Sequence, residues 1–333
     1  MSSKGPIDLS RIPAPDVVEE LDFETLFNDT CDDLIARDPQ LADVLALESE
    51  PLTKLVQVCA YREMLVRQRV NEAARAVMLA YALNGDLDNL GVLLGVERLV
   101  TAPGDNTATP PVPPTYETDE DFRLRIQLAL DGLSTAGPER AYVYHALSVD
   151  GRILDATADA PTFSQAEVEP ALLAQLPPNS IVLQVDYDAG LEQPMPGDVV
   201  INILSRDGDG HPDSELVNAV GLALSAEDLR PMTDRVNARG ADILPYQVNA
   251  QLYTYPGPDT DVVLSTAQQN ITTYVTENKR LGRAITRSGI YAALHVAGVQ
   301  RVEIQTPSAD INCTGSQAAH CTDIDIEHGG VAT

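Results

Sequence analysis

The four residues Cys313, His320, Cys321 and His328 are the nearest approach to a metal site in this sequence. Thiolate and imidazole are the side-chain groups that zinc prefers, and structural zinc sites use four of them. Their spacing contains neither the Cys-x-x-Cys nor the His-x-x-x-His knuckle of a zinc finger. We therefore predict no metal here, and we expect Cys321 to be buried in a strand and both histidines to lie at the surface.

The stretch Asp207-Gly208-Asp209-Gly210 is similar to the start of a calcium loop. It lacks the third ligand and the glutamate six residues beyond the glycine that an EF-hand requires. We interpret it as a surface turn.

Catalytic motifs are missing from the sequence as well. It contains no Gly-x-Gly-x-x-Gly or Walker A loop, no His-Glu-x-x-His and no Gly-x-Ser-x-Gly. His145 and His295 stand in apolar helical stretches, without a Ser, Asp or Cys at a motif spacing. With so many carboxylates, some pair must lie close together, so a pair alone does not indicate glycosidase chemistry. We predict no catalytic residue, no cofactor and no metal.

The charge excludes several kinds of partner. The 333 residues carry 50 acidic and 22 basic side chains, a net charge of −28. Binding to phosphate backbones needs clustered Lys and Arg, so we predict no nucleic acid and no anionic membrane as partner. The N-terminus has no apolar segment of a secretory signal, and the four cysteines do not suggest a disulfide framework. These features predict a reduced, cytosolic chain.

Periodicity predicts an α+β, multi-domain fold, and the length suits two or three domains. Residues 1–100 are predicted to form a helical domain. Five prolines within residues 101–116 predict an extended linker over 101–117. A middle α+β domain is expected over 118–240 and a C-terminal α+β domain over 241–333.

A long helix dominates the predicted helical domain. Apolar residues recur every three or four positions from Ser49 to Asn84, with Pro51 in the first turn and Gly85 just beyond the end. At 1.5 Å per residue, such a helix would be about 45 Å long. Arginines line its outer face, so we expect it to contact neighbours on both sides. Shorter helices are predicted at Asp16–Arg37, Leu41–Leu47 and Asp86–Leu94, with Asp86 as the N-cap of the last.

Helices and strands alternate in the rest of the chain. Thr118 and Asp121 have the spacing of a capping box, whereas residues 159–180 and 188–197, rich in Pro, Ala and acidic residues, are expected to be surface excursions. The C-terminal domain is predicted to be a small βααββ unit with its helices on one sheet face. Helices are predicted at 118–130, 137–147, 213–224, 228–236, 259–279 and from 286, and strands at 152–156, 181–187, 199–204, 243–255, 299–305 and 322–327.

Several blocks of sequence, in the same order along almost the whole chain, point to one family. The longest runs over residues 67–82, Arg-Gln-Arg-Val-Asn-Glu-Ala-Ala-Arg-Ala-Val-Met-Leu-Ala-Tyr-Ala, and others include 13–18, 47–51, 280–283 and 290–302. As a set, they resemble the baseplate assembly protein J family, the wedge proteins of contractile-tailed phages and of R-type tailocins, or pyocins.

The resemblance implies a structural protein rather than an enzyme. In such particles, a second copy of the protein and a smaller wedge protein complete each wedge, and the wedges ring the hub. The ring nucleates the sheath through neighbouring sheath-initiator proteins, carries the tail fibre, and switches conformation to trigger contraction. The particle is assembled in the bacterial cytoplasm, and the protein ends up in the baseplate of the virion or tailocin.

The same resemblance suggests where partners bind. The long helix would lie in a bundle shared by the two copies and the smaller protein, and the C-terminal unit would link neighbouring wedges. The candidate interface residues are Arg62, Arg67, Arg69, Val70, Arg75 and Val77 on the long helix, and Arg280, Arg283 and Tyr291 in the C-terminal unit.

Two other functions remain open at this point. A hydrolase acting on a surface polymer would clear a band in a zymogram. A receptor-binding or fibre protein is disfavoured by the helical first third, because such proteins tend to be β-rich trimers.

Overall fold

The computed structural model describes residues 7–13, 15–134, 138–169, 175–227, 229–257 and 259–331. The predicted α+β class is confirmed. The chain divides into two compact units, the first made of Met1–Arg98 with Thr118–Gln127 and the second of Leu99–Glu117 with Leu128–Thr333. The domain boundaries drawn from the sequence stay a prediction.

The first unit is helical. Its helices are α1 (Phe23–Arg37), α2 (Ala42–Leu45), α3 (Pro51–Ala76), α4 (Asn84–Val92) and the first part of α5 (Asp119–Gly132), with short 3-10 turns at Leu9–Arg11 and Pro39–Leu41.

Helix α1 begins at Phe23 rather than at the predicted Asp16, because Asp22 is its N-cap. The Asp22 carboxylate accepts a hydrogen bond from the Thr25 backbone N–H at 2.8 Å. Helix α1 packs on α3 through a buried cluster of Cys31, Leu45 and Val56.

Helix α3 is shorter than predicted, because it ends at Ala76 and not near Asn84. The guanidinium of Arg123, on α5, donates hydrogen bonds to the carbonyls of Leu79 and Ala82, each at 2.7 Å. In a continuing helix those carbonyls would accept from the backbone N–H four residues later. Arg123 therefore fixes the chain in turns beyond Ala76.

Helix α4 begins at Asn84, so the prediction of Asp86 as its N-cap is wrong. The residue before the helix, Leu83, has no side-chain acceptor. Instead the Asp119 carboxylate, at the start of α5, accepts from the Asn84 backbone N–H at 2.9 Å. The predicted cap on α5 itself is present, since the Thr118 hydroxyl accepts from the Asp121 N–H at 3.2 Å.

The second unit starts with a ribbon and a mixed sheet. Strands β1 (Val100–Ala102) and β2 (Thr115–Tyr116) pair antiparallel inside the segment predicted to be an extended linker. Helix α6 (Glu139–Val149) follows. The sheet has the order β3-β6-β7, with β3 antiparallel and β7 parallel to the central β6. Its strands are β3 (Ile153–Asp159), β6 (Asp198–Ser205) and β7 (Arg235–Gly240), and helix α7 (Ser214–Leu224) connects the last two.

Residues 162–165, in a predicted surface excursion, are mostly exposed and form β4, which pairs with β5 (Leu183–Tyr187) as a separate ribbon. One prediction fails in this region. The helix predicted over 228–236 is replaced by turns over 229–234 and by β7, because Pro231 cannot continue a helical hydrogen-bond ladder. Gly137, Asp228 and residues 170–174, on which other predictions fell, lie outside the described residues.

The C-terminal part of the second unit has the predicted βααββ order. It contains β8 (Asp242–Thr254), α8 (Thr260–Glu277), α9 (Arg287–Leu294), β9 (Val299–Thr306) and β10 (Gln317–Val331). In the sheet, the central β8 pairs parallel with β10 and antiparallel with β9. Strand β10 is longer than the predicted 322–327. The N-cap of α8 is Asp259, where the sequence leaves Asp259 and Thr260 as alternatives, and the N-cap of α9 is Thr286, as its sequence predicts. Both helices pack on one face of the sheet.

The two sheets of the second unit are joined without a loop. Only Ala241, which is buried, separates β7 from β8, and its N–H donates to the Ile203 carbonyl of β6 at 2.9 Å. Around it, Leu204, Leu281 and Ala318 form a buried apolar cluster.

Candidate assembly surfaces

The residues considered for zinc binding do not form a site. Within the described ranges, no group of three or more His, Cys, Asp or Glu side chains is placed to hold a metal ion. Burial raises the pKa of the Cys313 and Cys321 thiols, so both are protonated near neutral pH. Cys321 lies in β10 as expected but is only half-buried. His320 is also half-buried, against the expectation of a surface position, whereas His328 is exposed.

The two histidines in apolar stretches are placed differently from each other. The His145 ring nitrogen Nε2 lies 3.1 Å from the Gly132 carbonyl, and burial lowers the pKa of this histidine. It is therefore a neutral donor to a backbone acceptor. His295 is exposed at the end of α9.

The calcium-like stretch is a turn. The Gly210 N–H donates to the Asp207 carbonyl at 3.1 Å, and the Asp209 carboxylate accepts from the His211 N–H at 2.9 Å. Both Gly208 and Gly210 have positive φ, which suits glycine in a tight turn.

In the parts of the chain that the structure describes, no helix combines the length and the apolar composition needed to cross a bilayer.

Helix α3 has two different faces, and the inner one is packed. Its buried residues are Thr53, Val56, Ala60 and Asn71. The Asn71 amide accepts from the Glu19 N–H at 3.0 Å and donates to the Glu19 carbonyl at 2.8 Å, which fastens the segment before α1 along this face.

The opposite face of α3 is apolar and exposed. Val66 is 64% exposed and Leu55 59%, so these side chains gain nothing from the core of the first unit. Exposed apolar side chains that recur at helical spacing mark a surface that another helix can cover. We call this face the outer stripe; it consists of Leu55, Val58, Cys59, Arg62, Leu65, Val66, Arg69, Val70 and Ala73.

The predicted interface residues on the long helix do not all lie on the same face of that helix. Arg62, Arg69 and Val70 lie in the outer stripe. Arg67 lies on another side, where its guanidinium is 3.1 Å from Glu19 and 2.8 Å from Glu63. Arg75 follows Arg62 by 13 residues, which places it well around the helix at 100° per residue.

The remaining prediction on this helix, Val77, lies just beyond the end of α3 and is 69% exposed. Sequence reasoning missed Leu55, Val58 and Leu65 as surface residues, because it assigned all apolar positions of the helix to a single face.

The predicted interface residues of the C-terminal part are also spread out. Arg280 is half-buried and donates to the Leu154 carbonyl of β3, so it helps to join the two sheets. Arg283 is exposed and donates to the Glu277 carbonyl at 3.3 Å, and Tyr291 is partly exposed on α9. Whether any of them contacts a partner stays a prediction.

Comparisons with known proteins agree with this architecture. Residues 48–105, which contain α3 and α4, match the Baseplate J-like N-terminal domain, and residues 230–327 match the Baseplate J-like protein C-terminal domain. The chain is 44% identical over 329 residues to the protein named Baseplate protein J of Escherichia phage P2, covering 97% of this chain and 98% of that protein. The expectation from sequence blocks is thereby confirmed: this chain belongs to the baseplate J family of structural proteins of phage-tail baseplates.

Proposed function

We propose that this chain is a wedge subunit of a contractile-tail baseplate, in a phage or a tailocin. It forms a triplex with a second copy of itself and a smaller wedge protein, and the triplexes ring the hub. Through this ring it meets the proteins that initiate the sheath, carries the tail fibre, and changes its arrangement when contraction is triggered.

The observation that carries this proposal is the two-faced character of α3. One face packs inside the first unit, and the other leaves in solvent the outer stripe, a row of exposed apolar residues interrupted by Arg62 and Arg69. Burial of apolar surface contributes roughly 25 cal/mol per Å², so such a stripe favours association with other helices. A subunit of a multi-protein bundle needs a surface of this kind.

The second unit adds a rigid arm to the proposed subunit. The Leu281 backbone N–H donates to the Asp155 carboxylate at 2.9 Å, and the Thr157 hydroxyl donates to the Gly315 carbonyl at 2.7 Å. These bonds and the buried Ala241 hold the β3-β6-β7 sheet against the C-terminal sheet. A stiff module suits a ring component that must pass a movement from one neighbour to the next.

The test uses the particle that contains this chain. Two differently tagged copies are produced together in the assembling host, particles are purified and dissociated into wedges, and one tag is captured. Recovery of the other tag with a smaller protein in the same wedge is the expected result. Wedges in which the two tags never occur together would refute the triplex.

A paired substitution tests the helix in the same particles. Arg62→Glu with Arg69→Glu should reduce the yield of particles with a complete baseplate. The control is Arg11→Glu with Arg37→Glu, which makes the same change in charge at two exposed positions outside α3. Equal yields from both double variants would count against α3 as the interface.

We also propose that the chain has no enzymatic role, in keeping with the structural character of its relative. A zymogram on peptidoglycan with the purified protein should show no cleared band, and a cleared band would contradict this part of the proposal.

A further inference from the structure

We propose that the outer stripe of α3 binds an acidic amphipathic helix of a different protein, and not the same stripe of a second copy. This inference rests on the proposed function, because it names the chemistry of the helix that completes the bundle. The outer stripe contains two arginines, Arg62 and Arg69, and both are exposed.

The spacing within the stripe is that of a coiled-coil seam. Leu55, Cys59, Arg62, Val66, Arg69 and Ala73 follow one another at intervals of four, three, four, three and four residues. Alternation of three and four keeps one line of side chains facing a partner helix. Over these 19 residues, the seam is about 27 Å long.

The arginines therefore lie in the middle of the seam and not at its rim. Val58 and Leu65 flank it on one side and Val70 on the other, so Arg62 and Arg69 are surrounded by exposed apolar side chains. A helix that covers the apolar residues must also cover both guanidinium groups. An arginine that loses water needs a carboxylate partner to offset that loss.

A second copy cannot supply such a partner through the same stripe. In a parallel pair, Arg62 would face Arg62 and Arg69 would face Arg69. In an antiparallel pair, Arg62 would face Val66 and lie one layer from Arg62 of the other copy. The nine residues of the stripe include no Asp or Glu. Like charges placed against each other in an interface act against that pairing.

Within the first unit, Arg62 and Arg69 have little interaction with carboxylates. Arg69 lies 3.3 Å from Glu72, but its side chain is 82% exposed, so this pair is a weak surface contact. Arg62 makes no ion pair with any residue in the described part of the chain. The contrast with Arg67, which is held by two carboxylates, indicates that the stripe arginines are kept for another chain.

The partner implied by this geometry is specific. It is a helix of about five turns with apolar residues at most seam positions and Asp or Glu at the two positions opposite Arg62 and Arg69. Two α3 helices can flank one such helix, which allows both copies to enter a wedge without direct contact between their stripes.

The experiment uses a charge-reversed variant of the same chain as a model of the acidic partner. The double variant Arg62→Glu with Arg69→Glu carries an acidic seam on the same full-length scaffold. An equimolar mixture of wild type and this variant should associate at least tenfold more tightly, by sedimentation velocity, than either protein alone. In a parallel arrangement each arginine faces a substituted glutamate. In an antiparallel arrangement Arg62 lies one layer from the substituted glutamate at position 62, so opposite charges are close in both arrangements.

A second variant and a control sharpen the test. Replacing the charges by Arg62→Leu with Arg69→Leu removes the repulsion, so this variant alone should self-associate where the wild type does not. The control is a mixture of wild type with Arg11→Glu/Arg37→Glu, which should show no gain. Circular dichroism checks that every variant retains its helix content.

The outcomes separate this inference from the proposed function. Wild type that self-associates through α3 as tightly as the charge-matched mixture would overturn the inference and leave the wedge triplex standing. A matched mixture with no gain over the control would overturn it as well. Failure of the proposed function would be seen separately, as wedges in which differently tagged copies are never recovered together.

Discussion

The guanidinium of Arg98 and the carboxylate of Asp119 lie 2.7 Å apart, and only 15% and 21% of these side chains are exposed. The second oxygen of Asp119 accepts from the Asn84 N–H at 2.9 Å. The Arg98 guanidinium also lies over the Phe122 ring, 4.7 Å from its centroid. One carboxylate thus fixes the start of α4 and the start of α5 in the first unit.

We expect Asp119→Asn to lower the free energy of unfolding of the first unit by about 2 kcal/mol, because it leaves Arg98 without its less exposed carboxylate. Urea unfolding followed by circular dichroism measures the change. The control is Asp88→Asn, which removes another Arg98 contact, at 2.8 Å, from a carboxylate that is 49% exposed. It should cost less than about 1 kcal/mol. Equal losses in the two variants would contradict this ranking.

The contact between Arg98 and Asp119 also predicts that the stability of the fold depends on pH. Burial raises the pKa of Asp119, but the hydrogen bond from Asn84 and the contact with Arg98 outweigh it, so the pKa lies below its ordinary value of 3.8. A carboxyl with a depressed pKa in the folded state stabilises the fold above its unfolded pKa, and this stabilisation is lost as the pH falls through the folded pKa.

The difference in melting temperature between wild type and Asp119→Asn should therefore be constant at neutral pH and shrink below about pH 4. Thermal unfolding between pH 7 and pH 2 measures it. A gap that widens towards low pH would show that the sign of the shift is wrong.

Arg123→Met should destabilise the turns after α3. It removes the donors to the Leu79 and Ala82 carbonyls and leaves two acceptors without these partners, which costs about 2 kcal/mol. Hydrogen exchange should quicken in residues 77–87 before it quickens in α1. The matched control is Arg37→Met, at an exposed position, which should leave both stability and exchange unchanged. An α3 that lengthened towards Asn84 in the variant would support the stated role of Arg123 most directly.

Leu281→Ala should weaken the contact between the two sheets of the second unit. Leu281 is 9% exposed and packs in the cluster with Leu204 and Ala318, so truncation leaves a cavity and costs roughly 2–4 kcal/mol. Leu222→Ala is the comparison, because that leucine is 77% exposed and its loss should be nearly neutral. Calorimetry on both variants measures the difference. Similar transition temperatures would argue against close packing between the two sheets at Leu281.

Gly151→Ala should also destabilise the second unit. A Cβ at Gly151 would lie 2.2 Å from the Val100 carbonyl oxygen, a backbone atom that cannot move aside freely. We expect a cost of about 1–3 kcal/mol from the forced shift. Gly315→Ala is the control, since no atom lies within 4 Å of its Cβ position. Chemical unfolding of both variants should separate them, and a harmless Gly151→Ala would mean that β1 moves away readily.

Much of the secondary structure was predictable, because local signals determined it. Asp259 and Thr286 cap their helices through hydrogen bonds to backbone groups two or three residues away, a range that sequence spacing captures. The alternation of polar and apolar residues along β8 gave its position within one residue at each end. The family was predictable as well, from ordered blocks spread along the chain.

The misses arose where a distant residue decides a local outcome. The end of α3 depends on Arg123, and the start of α4 depends on Asp119, each more than 30 positions away in the sequence. Strand β7 carries Arg235 and Arg239, and these charged residues make the strand hard to recognise from the sequence. In the structure, Arg235 forms an ion pair with Asp198 at 2.8 Å. The outer stripe was missed in part, because periodicity finds apolar residues on a helix but does not tell which of two faces is covered.

The single buried residue between β7 and β8 has a mechanical consequence. A pull on β10 passes to β8 through ladder hydrogen bonds and then, across Ala241, to β7 and β6. Ala241 alone connects β7 to β8, so no loop intervenes between the two sheets on that route. The two sheets are therefore connected in series, and a displacement of the outer strand of one sheet reaches the central strand of the other within the second unit.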